Sequence, residues 1–293
     1  MAKTSDQYFL YDGIPFPCIA HNEESLDFAR NMFQVCDDDV YSITYPKSGT
    51  TWMQELLTLI YSNGDQTLSR SVPNWERVPW IEQVSAQMYV PKLTSPRLIT
   101  SHLPLQLFPK SFFTSKAKVI YTMRNPKDVC VSLYHYCQLV LFLENPQDFD
   151  VFLSSFLEGD VLLGSWFDHV QSWLGTKDQV NILFQTYEEL LQDLRGSVVR
   201  ICNFLGKELD EAAIDSVVEN ATFKTMKDNK MTNYSLVPSD FMDHEKGSFL
   251  RKGISGDWKN QFTEAQSERF DQIYQEKMKE MKGLESMFTW DKP

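Results

Sequence analysis

The stretch Val40 to Leu57, VYSITYPKSGTTWMQELL, restricts the possible folds more than any other part of the chain. A β-rich run (Val40, Ile43, Thr44, Tyr45) breaks at Pro46. It then leads through Lys47, Ser48, Gly49, Thr50 and Thr51 into the helical spacing of Trp52, Met53, Leu56 and Leu57. Strand, tight turn and helix start in succession predict a cradle for an anion. First-turn N–H groups lack intrahelical partners, and the macrodipole, hydroxyls and a lysine add to their pull on negative charge. The common phosphate loop, G-x-x-x-x-G-K-[ST], places its lysine after the last glycine, whereas Lys47 precedes Gly49. Taken alone, K-S-G-T is equally an ordinary strand-to-helix turn with a solvated lysine.

Composition narrows the partners. The net charge of −12 and a pI near 4.9 argue against a nucleic-acid surface or an anionic membrane as the main partner. A bound anion must therefore be held by local basic islands. Twenty Phe, 12 Tyr and 7 Trp exceed the needs of a core and predict an aromatic-lined pocket. The cysteines (Cys18, Cys36, Cys130, Cys137, Cys202) are odd in number, scattered and without a C-x-x-C pair, which fits reduced thiols in the cytoplasm. The start, MAKTSDQYFLYDG, has no signal-peptide core, and the greasiest run, Leu139 to Leu143, is too short to span a bilayer.

In chain order, residues 1–22 read as an irregular lead-in and Glu23 to Phe33 as a short helix. The acidic run Asp37-Asp38-Asp39 reads as a solvated turn. Trp52 to Tyr61 is predicted helical, stopping at Asn63-Gly64. Further strands are expected at Arg97 to Ser101, Ala117 to Thr122 and Val180 to Phe184. Helices are expected at Asp128 to Phe142, Asp150 to Trp173, Leu194 to Leu205, Asp210 to Asn220 and Thr263 to Met281. Alternating strands and helices imply an α/β fold: a single domain, 1–293, with a mainly parallel central sheet flanked by helices and a P-loop-like strand-loop-helix.

Open α/β sheets bind ligands at the carboxyl ends of their strands. The expected strands deliver Lys47, Ser101-His102, Arg124 and Gln185-Thr186-Tyr187 to that edge. Singly, each has a plain explanation: His102 caps a strand, Arg124 pairs with Asp128, Tyr187 packs. Together they outline a site. The segment Asp228 to Trp258 lacks periodicity and carries Lys246, Arg251 and Lys252 beside Gly253 and Gly256, which reads as an anion clamp on a long functional loop or, taken alone, equally as a solvated basic loop. No strand ends in a metal-holding aspartate and no carboxylate cluster has ligand spacing, so group transfer without a metal is expected.

YPKSGTTW, TSHLP, YTMRNPKDVCVS, GSWFDH, TFKTMKDNKMTNY and RKGISGDWKNQFT, in that order across nearly the whole chain, resemble the cytosolic sulfotransferase family. The resemblance implies transfer of a sulfuryl group from 3′-phosphoadenylyl sulfate (PAPS) to a hydroxyl or amine of a small molecule, releasing adenosine 3′,5′-bisphosphate (PAP). By motif, Lys47, Ser48, Gly49, Thr50, Thr51 and Trp52 would cradle the 5′-phosphosulfate, with Trp52 on the adenine. Arg124, Ser132, Arg251, Lys252 and Gly253 would meet the 3′-phosphate. Tyr187 and the segment Ala221, Thr222, Phe223, Lys224, Thr225, Met226 would enclose the adenine side, with Ala221 standing where the family often has a hydroxyl residue. His102 would act as general base, Lys47 on the leaving phosphate, and Ser132 as a restraint on Lys47.

Candidate acceptor-pocket residues are Phe16, Trp80, His102, Tyr136, Leu139, Leu143, Tyr234 and Phe241, and each of the apolar ones, taken alone, reads first as a core residue. Thr100 stands where phenol-preferring relatives carry lysine, which disfavours a simple phenol. Hydroxysteroids and amines remain, with a lean toward amines and Glu144 as partner for a cationic one. The family's dimer motif has Glu264 in place of the usual valine, so a monomer or weak homodimer is expected. Alternative readings are a nucleotide-dependent small-molecule kinase with a variant phosphate loop, which needs magnesium, and a non-catalytic binder of apolar ligands.

Overall fold

The computed structural model describes residues 6–281. The ends of the expected 1–293 domain therefore lie outside the described residues. Four parallel strands form the central sheet: β3 (Val40–Thr44), β4 (Leu98–Ser101), β5 (Lys118–Met123) and β6 (Asn181–Thr186), in the order β4-β3-β5-β6. The chain runs outward from β3 to β4, then crosses back to build β5 and β6 on the other side. The direction of growth reverses at β3, and a crevice opens there at the carboxyl edge.

Alternation of side chains splits the core into two layers. Tyr41, Ile43, Val119, Tyr121 and Met123 face one layer, packed by helices Pro126–Leu139, Phe149–Glu158 and Trp166–Leu174. Val40 and Ile120 face the other, packed by helices Thr50–Tyr61, Leu194–Leu205 and Glu211–Asn220. Among the described residues no helix is long and apolar enough to cross a membrane.

Several expectations are corrected. The lead-in is an antiparallel hairpin, β1 (Tyr8–Tyr11) with β2 (Ile14–Pro17), turning at Asp12-Gly13, both at positive φ. Asp39 is fully buried rather than solvated: Arg97 Nε donates to it at 2.7 Å and the Cys36 N–H at 2.9 Å. That carboxylate and the nearby Cys36 and Asp38 form a small acidic cluster at the amino end of β3, far along the strand from the crevice. The helix expected over 150–173 is two helices, because Gly159 (φ 83°) caps the first and a Cβ there would lie 2.8 Å from Ser165. The helix expected to reach Phe142 ends at Leu139, and Val140 instead bridges Met242.

Two loops, one between helix Thr50–Tyr61 and β4 and one following Asp228, are tied down by a buried ion pair. Arg77 donates to Glu55 at 2.9 Å, both side chains being 1% exposed. Arg77 also donates to Thr58 and the Val72 carbonyl, while Glu55 accepts from Thr232 and Ser69. One carboxylate on helix Thr50–Tyr61 thus holds parts of both loops. Removing it leaves a buried guanidinium uncompensated, so Glu55→Ala is expected to lower stability by about 3–5 kcal/mol. Urea unfolding checks this, and an unchanged midpoint would show that the network does not hold the loops.

Candidate active site

The register of the sheet levels the strand ends: Ile43 pairs with Ser101, Thr44 with Thr122, and Met123 with Thr186. The next residues on each strand therefore emerge side by side. Lys47, His102, Arg124 and Tyr187 line a single cavity, with Gly49, Thr50, Thr51, Trp52 and Ser132.

The turn after β3 is strained into shape. Lys47 has φ 68° and Gly49, the N-cap of helix Thr50–Tyr61, has φ 109°. A Cβ at Gly49 would approach Tyr187 to 3.0 Å, so both the conformation and the space call for glycine. No side chain caps this helix start, and its first N–H groups stay available. Ser48 Oγ, Trp52 Nε1 and Arg124 Nε are buried around the turn without hydrogen-bond partners among the described residues. Buried polar groups are normally satisfied, so this arrangement fits a polar, anionic ligand.

Arg124 is held by carbonyls rather than by a carboxylate. Its Nη atoms donate to Lys47 O and Ile254 O, each at 3.0 Å, and its guanidinium lies 4.3 Å from the Tyr187 ring centroid. The expected pairing with Asp128 is absent, since Asp128 accepts the N–H groups of Gly256 and Trp258. Arg251 and Lys252 line the cavity and also pair with Asp257 at 2.7 and 2.6 Å. Burial alone would raise Asp257, but the hydrogen bonds from Lys252, Asn260 and Arg251 outweigh it and hold the carboxyl well below its usual range.

Lys47 reaches its ammonium between two rings, 4.2 Å from the Tyr136 centroid and 4.0 Å from that of Phe249. Phe249 in turn stacks on Tyr234 at 4.0 Å. Burial first, then the charges of Arg124 and Arg251, push its pKa down to about 7. His102 is oriented by backbone. Its Nδ1 lies 2.8 Å from the Thr44 carbonyl, which can only accept, so Nδ1 carries the hydrogen and Nε2 the lone pair. Thr44 Oγ1 shares a 2.6 Å hydrogen bond with Thr50 Oγ1, linking this end of β3 to the helix start. The fully buried Glu82 accepts the His102 N–H at 2.8 Å, and His169 Nε2 donates to the His102 carbonyl at 3.1 Å. Burial, and to a lesser degree Lys47, push the His102 ring down to about 4. The ring is therefore neutral and able to accept a proton.

Not every expected residue reaches the cavity. Trp80, Tyr136, Leu143, Tyr234, Phe223, Met226 and Gly253 line it. Leu139 lines an adjoining hollow shared with Lys47, Ser132 and Tyr136. Phe16 lies in the core against Phe9 and Tyr11, and Phe241 is 38% exposed, packed on Phe142. Ser48 and Ala221 are fully buried, Thr222 caps the helix Phe223–Asp228, Thr225 bonds to Thr222 and Glu219, and Lys224 is exposed. Thr100 is buried on β4 and bonded to Gln54 and the Val78 carbonyl, and Glu144 is exposed outside the cavity. Sequence reasoning missed His21, Gln83, Phe142, Leu163 and Phe249 as lining residues.

A family model described as a sulfotransferase domain matches residues 37–282. This chain belongs to the sulfotransferase family. Human sulfotransferase 2B1 is 54% identical over 289 residues, covering 99% of this chain and 78% of its own. Guinea-pig 3-beta-hydroxysteroid sulfotransferase is 49% identical, covering 94% and 95%. Among solved structures, mouse sulfotransferase SULT7A1 complexed with PAP aligns with a TM-score of 0.76 at 31% identity, covering 94% of this chain and 96% of that one.

An anion at the turn favours the protonated form of Lys47, so binding takes up a proton once the pH exceeds about 7. Affinity for sulfate, a dianion throughout the range, is expected to hold below pH 7 and to fall roughly tenfold by about pH 8–8.5. Quenching of tryptophan fluorescence checks this. A sulfotransferase variant with Lys47→Met that keeps the same slope would exclude Lys47 as its source.

Proposed function

We propose that the protein transfers the sulfuryl group of PAPS to a hydroxyl of a hydroxysteroid or similar apolar alcohol. One observation carries the reading: the lone-pair nitrogen of His102 and the Lys47 turn share one cavity, so a base and an anion cradle serve the same space. The acceptor hydroxyl would lose its proton to His102 Nε2 while its oxygen bonds to sulfur. The bond from sulfur to the 5′-phosphate oxygen breaks, and the electron pair stays on the phosphate of PAP. Lys47 is suited to neutralise that charge, as cationic clamps do in phosphoryl transfer. The anionic co-substrate would also offset the depression of the His102 pKa. Ser132, which lines the cavity beside Lys47, is proposed to restrain the lysine.

Hydroxysteroid is favoured over amine by the names of the relatives and by the lining. No carboxylate lines the cavity among the described residues, while Lys47, Arg124, Arg251 and Lys252 do. Glu144 therefore has no support as an ammonium partner. We further propose one catalytic domain in the cytoplasm, in keeping with cysteines that are all unpaired. No metal takes part in the proposed transfer.

Incubation with sulfur-labelled PAPS and a panel of hydroxysteroids, phenols and amines is expected to yield labelled hydroxysteroids, with or without EDTA. His102→Ala is expected to lower kcat by about a hundredfold to ten-thousandfold, with PAP binding retained. Absence of product, or a strict magnesium requirement, would overturn the reading. Glu264 is exposed in the first turn of helix Glu264–Lys277, where negative charge suits the dipole but burial in a dimer seam would be costly. Sedimentation is accordingly expected to show mainly monomer at nanomolar concentration, and a tight dimer would contradict this.

A further inference from the structure

One titratable group in the cavity has no part in the chemistry above. His21 leaves the β1–β2 hairpin, is 5% exposed and lines the same cavity as His102 and Trp80. Its Nδ1 lies 3.3 Å from the Pro17 carbonyl. A carbonyl only accepts, so Nδ1 carries the hydrogen and Nε2 holds the lone pair. Phe16 meets the ring edge-on at 5.2 Å, and the Val84 N–H donates to the neighbouring Ala20 carbonyl at 2.9 Å. The ring is thus fixed by the hairpin, by a core aromatic and by the segment that also carries Glu82.

Among the described residues nothing donates to Nε2; Pro17, Ala20, Trp80 and Leu163 line the same cavity, with the amide Gln83 on the segment that meets the hairpin. Burial first, then the neighbouring His102, push His21 down to about 3 against a small opposing effect of the Pro17 bond, so the ring stays neutral at any working pH. A neutral, oriented and buried acceptor is a poor thing to leave unsatisfied. What it selects is a donor. His102 already takes one hydroxyl of the acceptor molecule, so His21 is free for another. An ammonium is disfavoured because, among the described residues, the cavity is lined by cations and by no carboxylate.

We propose that His21 is a specificity-determining residue whose Nε2 accepts a hydrogen bond from a second hydroxyl of the acceptor, so that the preferred substrates are rigid apolar diols of the dihydroxysteroid kind. The inference rests on the steroid-alcohol reading given above and names a narrower class within it.

The test compares a monohydroxysteroid with a panel of its dihydroxy counterparts that differ in the position of the second hydroxyl. Two quantities are read for each: affinity for the complex of the protein with PAP, which needs no turnover, and kcat/KM with PAPS. At least one diol is expected to be favoured over the mono-alcohol by roughly three- to tenfold, the range of one net hydrogen bond. His21→Phe, which keeps the packing on Phe16, is expected to bring that ratio to one or below. His21→Gln, which restores an acceptor, is expected to recover part of it and serves if the phenylalanine variant does not fold. An equal ratio in the wild type and both variants, or no diol preference in the wild type, would overturn the proposal. If the affinity ratio collapses in His21→Phe while no acceptor is ever sulfonated, the transfer reading fails and the role of His21 stands. If the mono-alcohol is sulfonated normally and the ratios do not move, the role of His21 fails alone.

Discussion

The parallel pairing of β3 with β4 on one side and β5 on the other is the constraint on which the site depends. A slip of one residue would send every side chain of a strand to the opposite layer, so the buried alternation of Tyr41, Ile43 and Val119 fixes the register. That register sets the Thr44 carbonyl where the His102 ring can donate to it, and puts Arg124 within reach of the Lys47 carbonyl. Neither bond depends on another functional side chain. The His102 ring and the Arg124 guanidinium are positioned by backbone carbonyls at the strand ends, a stiffer support than a second side chain provides.

The electrostatics follow from how the cationic groups are held. An acidic chain could easily neutralise its own cavity, yet the described carboxylates stay out of its lining. Arg124 is bonded to carbonyls, which orient a guanidinium without cancelling its charge. Lys47 is held by ring faces, a contact worth on the order of 0.5–2 kcal/mol. A phosphate-like group would offer the ammonium a stronger partner than the rings do. Arg251 and Lys252 differ, because they share Asp257. Two cations on one carboxylate leave this cluster net positive, held in shape and still attractive to an anion.

Much of this was legible in the sequence because it is local. The strand-turn-helix of Val40 to Leu57, the strand carrying His102 and the helix beginning after Asn125 each announce themselves through periodicity and caps. What stayed hidden is long-range. Asp39 looks solvated in a run of three acids, and only the fold brings Arg97 to it. The apolar period of Phe149–Glu158 carries straight into Trp166–Leu174, so the break at Gly159 is visible only as a left-handed cap. Phe16 and Phe241 were candidates for pocket or core alike, since residue type does not separate the two. The hairpin turns Phe16 into the core and leaves the next ring, His21, facing the cavity. Phe249 sits in an aperiodic loop, and its role depends on meeting Lys47, a residue 202 positions away by numbering (249 − 47).

That loop also joins the two halves of the cavity. Phe249 and Tyr234 stack beside Lys47, and a few residues on Gly253 lies against Phe223, where a Cβ would fall 2.2 Å from the ring. With φ 66°, Gly253 is the position at which the backbone turns in to pack on the helix Phe223–Asp228. Both contacts belong to one short run of chain, so displacing one must pull on the other. A shift of the backbone at Gly253 would therefore be felt at Phe249 and Tyr234, because the two contacts lie four positions apart in the chain (253 − 249) and both are made by packing.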